Sequence, residues 1–348
     1  MTLTGKTIGE MTQAVEQLGI KSYVAKQLTY WLYNAGAQSY NVMTNISKDN
    51  RRLLAENYEI GVIPPLDVKI STDGTKKYLF KTEGGNYIET AFIPDNNNDR
   101  NTLCVSSEAG CKMGCAFCYT AKQGFQEKLS VHDIINQLNA IPERNIITNI
   151  VFMGMGEPFD NFDNVLKSIE ILTAEYGFKI GKRKITVSTV GIVPGIKRFL
   201  NECDCNLAIS LHSPFEEERS RLIPMNDVYH ISDIMSALRE HDWGKQRFPS
   251  FEYIMFKGIN DSDRHIKGLC KVLNGMRCLI NLIQYHSVPG DEFQTADMEV
   301  VKAFRDKLSN KGFSTTIRAS RGLDIEAACG LLSTLKMRDS EYTKNSLE

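Results

Sequence analysis

The sequence predicts an α/β fold, namely a partial (β/α) barrel with a small N-terminal helical domain and a β-hairpin extension. Three observations support this prediction. Apolar residues recur at helical spacing through the first 60 residues. Residues 66–94 alternate apolar and polar side chains, and strand-like segments then alternate with helical patterns as far as residue 320. Because the 348 residues exceed the roughly 250–300 that one hydrophobic core serves, we expect one large domain with a smaller one beside it.

The first 100 residues divide into two parts. An N-terminal helical domain is predicted over residues 1–60, where Gly19 and Gly36 interrupt the helical pattern. A hairpin region follows over residues 61–100, because Gly84 and Gly85 separate two alternating runs. The polar stretch 95–101 predicts a loop.

The barrel is predicted over residues 101–337, with a polar tail at 338–348. Its strands are expected at 102–107, 149–154, 184–189, 206–212, 251–256, 279–285 and 314–320. Helical patterns separate most of them, including 131–141, 163–177 and 297–312, and Ser130 with Asp133 forms a capping-box pattern before the first. Alternation of this kind predicts a parallel sheet, whose chemistry lies at the C-terminal ends of its strands.

Composition narrows the class of protein. It is that of an ordinary globular chain, with 42% hydrophobic and 24% charged residues. No apolar run approaches the roughly 18 residues of a membrane span, and the first residues lack the pattern of a signal peptide, so we expect no membrane association and a cytoplasmic location. The net charge of −1 means that nucleic acid would have to meet local basic patches. The candidates are Lys112, Lys122, the run 182–184, Arg318 and Arg321.

Three of the nine cysteines lie within eight residues: Cys111, Cys115 and Cys118. Three thiolates in so short a loop can hold a [4Fe–4S] cluster and leave one iron open, which is what a catalytic site needs. The alternative is a zinc site, but no fourth Cys or His follows within ten residues. A second loop, Gly154-Met155-Gly156-Glu157-Pro158, follows an apolar strand, and its glycines permit close approach of a ligand to the backbone. A generic glycine-rich turn is the alternative there.

The cysteine spacing, followed by an aromatic residue, resembles the radical-SAM signature, and the chain more narrowly resembles the RlmN/Cfr family of RNA methyltransferases. The resemblance covers nearly the whole chain, in ordered blocks at 102–125, 151–165, 184–196, 207–214 and 316–330. It implies a radical-SAM barrel in which S-adenosylmethionine chelates the open iron and is cleaved to a 5′-deoxyadenosyl radical. It also implies methylation of an adenine carbon in 23S rRNA and tRNA. The carbon is C2 in RlmN-like members and C8 in Cfr-like members, and the blocks favour C2.

The resemblance assigns three catalytic residues. Cys329 matches the cysteine that carries the methyl group, and Cys104 matches the one that resolves the protein–RNA adduct and ends in a disulfide with Cys329. Glu89 matches a proton acceptor. From the residues alone, both cysteines are equally compatible with small buried side chains, and Glu89 with an exposed position on an alternating strand. The cysteines at 203, 205, 270 and 278 are interpreted as structural.

The resemblance also assigns contacts with S-adenosylmethionine: Gly156, Glu157, Ser188, Ser210, Leu211 and His212. His286 is expected to contact the same ligand: it stands where many members have an asparagine, and its neutral ring can still make a hydrogen bond. An external electron donor of the flavodoxin type and a monomeric state are expected, and the N-terminal domain is expected to help bind RNA. Two alternatives stay open: a radical-SAM enzyme with a non-RNA substrate such as a peptide, and a zinc-stabilised RNA-binding protein without catalysis.

Overall fold

The computed structural model describes residues 1–95, 99–245, 247–287 and 292–334. The N-terminal residues form three helices, α1 (Ile8–Gln17), α2 (Tyr23–Thr29) and α3 (Lys48–Asn57). A capping box of Thr7 and Glu10 starts α1, and α2 continues as a π-helical turn over Tyr30–Asn34. Met11, Leu28 and Leu54 are buried in the core.

One ten-stranded sheet forms the rest of the framework. Its first four strands are antiparallel: β1 (Asp67–Ile70), β2 (Lys76–Lys81), β3 (Tyr87–Asp95) and β4 (Arg100–Val105). A separate two-stranded ribbon, β5 (Glu108–Ala109) and β6 (Glu127–Lys128), follows β4. The parallel part of the large sheet runs from β4 through β7 (Asn149–Phe152), β8 (Ile185–Thr189), β9 (Asn206–Ser210), β10 (Ser250–Met255), β11 (Leu279–Gln284) and β12 (Ser314–Arg318). The first and last of its ten strands are not paired with each other, so the barrel is open, as predicted.

Helices connect the parallel strands. They are α4 (Tyr119–Lys122), α5 (Val131–Asn139), α6 (Phe162–Thr173), α7 (Val193–Glu202), α8 (Glu216–Leu222), α9 (Ile231–Glu240), α10 (Asp263–Val272) and α11 (Met298–Asn310). No helix among the described residues is long and apolar enough to cross a membrane.

Alternation along each parallel strand separates the core from the lumen of the barrel. Ile150, Ile185 and Val187 point outwards and are buried in the core with the helices. Their neighbours Val151 and Ser188 point into the lumen. Since successive side chains of a strand point to opposite faces, every parallel strand contributes both to the core and to the lumen.

The segment after β12 returns to the antiparallel strands and covers the open side of the barrel. Ser71 Oγ and the Thr72 N–H donate to the Asp324 carboxylate, at 2.5 and 3.1 Å. Further along, the Tyr119 N–H of α4 donates to the Gly330 carbonyl at 2.9 Å. Residues 322–334 are thereby held between the hairpin region and the loop that carries the three clustered cysteines.

Most predicted elements are confirmed, with shifts of one or two residues at strand ends. The hairpin turns at Gly84 and Gly85 between β2 and β3, and Ser130 and Asp133 form the capping box of α5. The loop prediction at 95–101 was wrong at its edges, because Asp95 pairs with Arg100 and extends the ladder of β3 and β4. Cross-strand hydrogen bonds stabilise polar residues there that local propensity assigns to a turn. The tail at 338–348 lies outside the described residues.

Candidate active site

The three clustered cysteines lie on the loop between β5 and α4, at the C-terminal end of the barrel. Cys118 is the N-cap residue of α4, and its N–H donates to the Cys115 carbonyl at 3.1 Å. The Ala116 N–H donates to the Leu222 carbonyl at 3.0 Å, which attaches the loop to α8. Cys111, Cys115 and Cys118 all line one cavity, and burial raises the pKa of each thiol.

The chemistry of the three thiols fits a [4Fe–4S] cluster. Thiolates are the usual ligands of such a cluster, and Cys111, Cys115 and Cys118 all line one cavity. Three ligands leave one iron open, and an open metal position is what a catalytic site needs.

Gly156 occupies a position that only glycine fits. Its φ is +97°, and a Cβ built there would lie 2.5 Å from the Glu108 Cβ. The next residue, Glu157, is buried, and its two carboxylate oxygens accept the N–H groups of Phe159 and Val190 at 3.0 and 2.9 Å. Burial raises the pKa of Glu157 to about 7. These hydrogen bonds hold the end of β7 against the end of β8. Gly156 and Glu157 both line the cavity of the clustered cysteines.

Ser188, Ser210 and His212 line the same cavity from β8 and from the end of β9. His212 adopts a left-handed backbone with φ of +57°. Its Nδ1 accepts the Ile254 N–H at 3.0 Å, so the ring proton of the neutral form lies on Nε2. Burial and then the Arg219 cation lower the pKa of His212 to about 3, which keeps the ring neutral near pH 7.

Leu211 does not line this cavity. Its side chain is buried in the core, and its backbone N–H donates to the Glu252 carbonyl at 3.0 Å. Its carbonyl accepts from the buried guanidinium of Arg219, which also donates to the Ser210 carbonyl at 2.9 Å. Sequence reasoning missed Arg219, because a lone arginine in an acidic helical segment gives no signal of burial.

A second cavity adjoins the first. Cys104 and His286 line only the second, whereas Cys329 and Arg318 line both. Cys104 is buried, and its burial, with the neighbouring Cys329 thiol, raises its pKa to about 12. Cys329 is exposed, and all nine cysteines are free thiols. The His286 Nε2 lies 2.5 Å from the Ser320 Oγ.

Glu89 is only 8% exposed. Its Oε1 lies 2.9 Å from the Lys77 Nζ, and its Oε2 accepts the Ser333 N–H at 3.0 Å. Burial raises the pKa of Glu89, against the opposing effect of the Lys77 cation. Ala91, two residues along β3, pairs with Cys104 on β4, so Glu89 and Cys104 belong to the same face of the sheet.

Two basic positions differ from their predicted setting. Arg318 points into the lumen, where its Nη1 lies 3.0 Å from the Met153 Sδ and 3.6 Å from the Glu252 carboxylate. The exposed run Lys182–Lys184 immediately precedes β8, so it lies at the opposite end of the barrel from the cavity. The prediction that this run lies near the site was wrong, because β8 runs from the run towards the cavity and so separates the two by the length of the strand.

Residues 105–269 match the model of the radical SAM superfamily, and residues 1–60 match that of the ribosomal RNA large subunit methyltransferase N-terminal domain. The chain is 51% identical to a probable dual-specificity RNA methyltransferase RlmN of Phocaeicola vulgatus, over 97% of this chain and 96% of that protein. This chain belongs to the RlmN family of radical-SAM RNA methyltransferases. The RlmN protein of Syntrophus aciditrophicus is 41% identical to it over 94% of both chains.

A solved structure agrees with this assignment. The crystal structure of a radical SAM methyltransferase from Sphaerobacter thermophilus superposes with a TM-score of 0.90 at 37% identity, covering 95% of this chain and 99% of that one. The radical-SAM barrel and the class of enzyme are therefore confirmed. As an RlmN-family enzyme, the chain uses a [4Fe–4S] cluster and S-adenosylmethionine as its cofactors.

Proposed function

We propose that this RlmN-family enzyme methylates C2 of an adenine in 23S rRNA and of an adenine in certain tRNAs, with Cys329 as the methyl carrier. One observation carries the proposal: Cys329 lies where the cavity of the clustered cysteines meets the second cavity. A residue at this boundary can take a group from a cofactor on one side and pass it to a base on the other.

The first cavity supplies the ligands that the cofactors need. Cys111, Cys115 and Cys118 would hold the cluster, and S-adenosylmethionine would lie against Gly156, Glu157, Ser188, Ser210 and His212. Leu211 would act indirectly, because its backbone bonds to Glu252 and Arg219 and so positions the residues on either side of it. When both cofactors are bound, the cluster supplies the single electron that cleaves S-adenosylmethionine reductively. Gly156 would permit close approach of S-adenosylmethionine to the backbone. The Glu157 carboxylate would accept a hydrogen bond from the ammonium group of the ligand, and the His212 Nε2–H would donate one to it.

Cys104 and Glu89 would act on the substrate side. The Cys104 thiol lies beside Cys329 on the second cavity, which supports a disulfide between them when the protein–RNA adduct is released. Glu89 would accept the proton from the adenine carbon. The Ser333 N–H, on the segment that carries Cys329, and the Lys77 ammonium orient its carboxylate.

RNA would approach over the second cavity. Arg100 and Arg321 line it and can meet phosphates, which position RNA without reading its sequence. The target adenine would leave its stack to reach Cys329. His286, which the resemblance assigned to S-adenosylmethionine, lines only the second cavity and would contact the adenine there instead. We also propose that the N-terminal domain grips the RNA, that a flavodoxin-type protein supplies electrons, and that the enzyme works as a cytoplasmic monomer.

The test is a reaction under anaerobic conditions. The reconstituted enzyme is incubated with S-adenosylmethionine, a reductant and unmodified 23S rRNA or tRNA, and the digested RNA is analysed by mass spectrometry. We expect 2-methyladenosine with the wild type and with Cys270→Ala, and none with Cys329→Ala or Cys118→Ala. Cys270 is the matched control, because it lies on α10 and lines neither cavity.

Two other results would change the assignment. Formation of 8-methyladenosine would keep the methyl carrier but move the chemistry to C8, as in Cfr-like enzymes. Release of 5′-deoxyadenosine without any modified base in either RNA would mean that the substrate is not one of these RNAs.

A further inference from the structure

Glu83, His132 and Asp133 form a cluster away from the two cavities. Glu83 lies in the turn between β2 and β3, and His132 and Asp133 lie in the first turn of α5. One nitrogen or oxygen atom from each of the three lies within 4.8 Å of the other two. None of these residues lines the cavity of the clustered cysteines or the one beside it.

The His132 ring is oriented as a metal-binding imidazole. It is 5% exposed, and its Nε2 lies 2.6 Å from the Gly61 carbonyl oxygen, which can only accept a hydrogen bond. The proton of the neutral ring therefore lies on Nε2, and Nδ1 presents a lone pair. Metal-binding histidines commonly donate their other ring N–H to a backbone carbonyl in this way.

The Nδ1 atom is buried and has no hydrogen-bond partner. It lies 3.5 Å from the Glu83 Oε1 and 3.9 Å from the Asp133 Oδ1. Three electron-rich atoms thus face one another, and within the described part of the chain neither carboxylate forms an ion pair with a lysine or arginine. Buried polar atoms normally have a partner, and the His132 Nδ1 lone pair can meet a cation that lies between the two carboxylates.

The two carboxylates are already oriented by neighbouring groups. The Asp133 Oδ1 accepts the Glu83 N–H at 3.0 Å, and its Oδ2 accepts from the Ser130 hydroxyl at 2.7 Å. The Ser130 hydroxyl also lies 3.0 Å from the Glu83 Oε2. Hydrogen bonds of this kind fix the orientation of ligand side chains.

We propose that His132 Nδ1, Glu83 and Asp133 bind a divalent transition-metal ion, for which Zn²⁺ is the best match. Zinc takes imidazole nitrogen and carboxylate oxygen at about 2.0–2.2 Å, which places tetrahedral ligands about 3.4 Å apart. The observed 3.5 and 3.9 Å separations require only a small contraction. Because the Glu83 side chain is 44% exposed, water can take the fourth position.

The ion would join three parts of the chain. Glu83 belongs to the turn that leads into β3 and Glu89, His132 and Asp133 belong to α5, and Gly61 follows the N-terminal domain directly. A bound ion would hold the N-terminal domain and the hairpin against the barrel. Zinc binding by these three residues does not depend on which RNA the enzyme modifies.

The test uses the full-length enzyme with its cluster reconstituted, so that the three clustered cysteines are occupied. After anaerobic dialysis against ZnCl₂ and then against buffer alone, zinc and iron are measured by mass spectrometry. We expect one zinc per chain besides the cluster iron. X-ray absorption at the zinc edge should show only nitrogen and oxygen ligands at about 2.0–2.2 Å, without the sulfur at about 2.3 Å that cysteine would contribute.

Variants then locate the ion. We expect Glu83→Gln and His132→Gln to weaken zinc binding by at least about tenfold, with unchanged iron content. Glu240→Gln, an exposed acid on α9, is the control and should bind zinc like the wild type. Since Glu83 is partly exposed, its variant tests the site even if His132→Gln does not fold. No retained zinc, sulfur ligation, or equal binding by Glu83→Gln would overturn the proposal.

Discussion

Glu89 and Lys77 form an ion pair in the interior, with 2.9 Å between the Oε1 and Nζ atoms and no more than a tenth of either side chain exposed. They lie on adjacent strands and on the sheet face that carries Cys104. The lysine thus compensates the charge of a carboxylate to which the proposed function gives a proton-accepting role.

Replacing Lys77 by Met should destabilise the protein by about 3–5 kcal/mol, because it leaves the buried Glu89 charge without its partner. The double variant Lys77→Met/Glu89→Gln should recover much of this loss. Denaturant unfolding of the wild type, Lys77→Met, Glu89→Gln and the double variant measures the coupling. Equal stability of Lys77→Met and the wild type would mean that the pair contributes nothing.

Gly156→Ala should lower stability by more than about 2 kcal/mol and abolish S-adenosylmethionine binding. The left-handed backbone alone costs about 1–2 kcal/mol in a non-glycine residue, and the new Cβ would overlap the Glu108 side chain. The matched control is Gly181→Ala, since Gly181 has no atom within 4 Å of its Cβ position and no positive φ. Thermal melting and equilibrium dialysis with labelled ligand would check both, and tolerance of Ala at Gly156 would contradict the proposed ligand position.

His212 should make the fold sensitive to acid. Above its ordinary pKa of 6.5 the ring is neutral in both the folded and unfolded states, so it contributes nothing to the pH dependence. Between 6.5 and about 3 the unfolded chain binds a proton that the folded protein does not, so stability falls as pH falls through this window. In His212→Gln the free energy of unfolding should therefore depend less steeply on pH in this window, by an amount that corresponds to at most one bound proton. Melting temperatures from pH 7 to pH 4 measure it, and parallel curves would contradict it.

Arg318→Gln should slow methylation of Cys329 by S-adenosylmethionine at least about tenfold, a loss of roughly 1.4 kcal/mol in the barrier. The Cys329 thiol is close enough to raise the pKa of the Arg318 guanidinium, so the two charges attract each other, and a thiolate is the attacking form. Peptide mass spectrometry of Cys329 after a single turnover, without RNA, measures the rate.

Arg321→Gln serves as the contrasting variant for Arg318. Because Arg321 lines only the second cavity, methylation of Cys329 should be unchanged. RNA binding should weaken, and the slope of log affinity against log salt concentration should become shallower by the equivalent of about one phosphate contact. The same loss of Cys329 methylation in both variants would mean that Arg318 has no special relation to the thiol.

The sequence by itself determined the features that depend on local pattern and motif. The alternation of strands and helices predicted the barrel and its seven parallel strands, and the spacing of Cys111, Cys115 and Cys118 predicted the cluster loop. Gly84 and Gly85 predicted the hairpin. These features are readable because side-chain period, turn chemistry and ligand spacing act over a few residues.

Only the tertiary structure decided which distant groups meet. The pairing of Glu89 with Lys77, the lumen position of Arg318 and the place of His286 in the second cavity depend on strand order and register. The sequence shows that Glu89 alternates with its neighbours, but burial of that face follows from the segment at 322–334 folding back over it. The hydrogen bond from Ser333 to Glu89 joins residues more than two hundred positions apart, and no local pattern encodes such a contact.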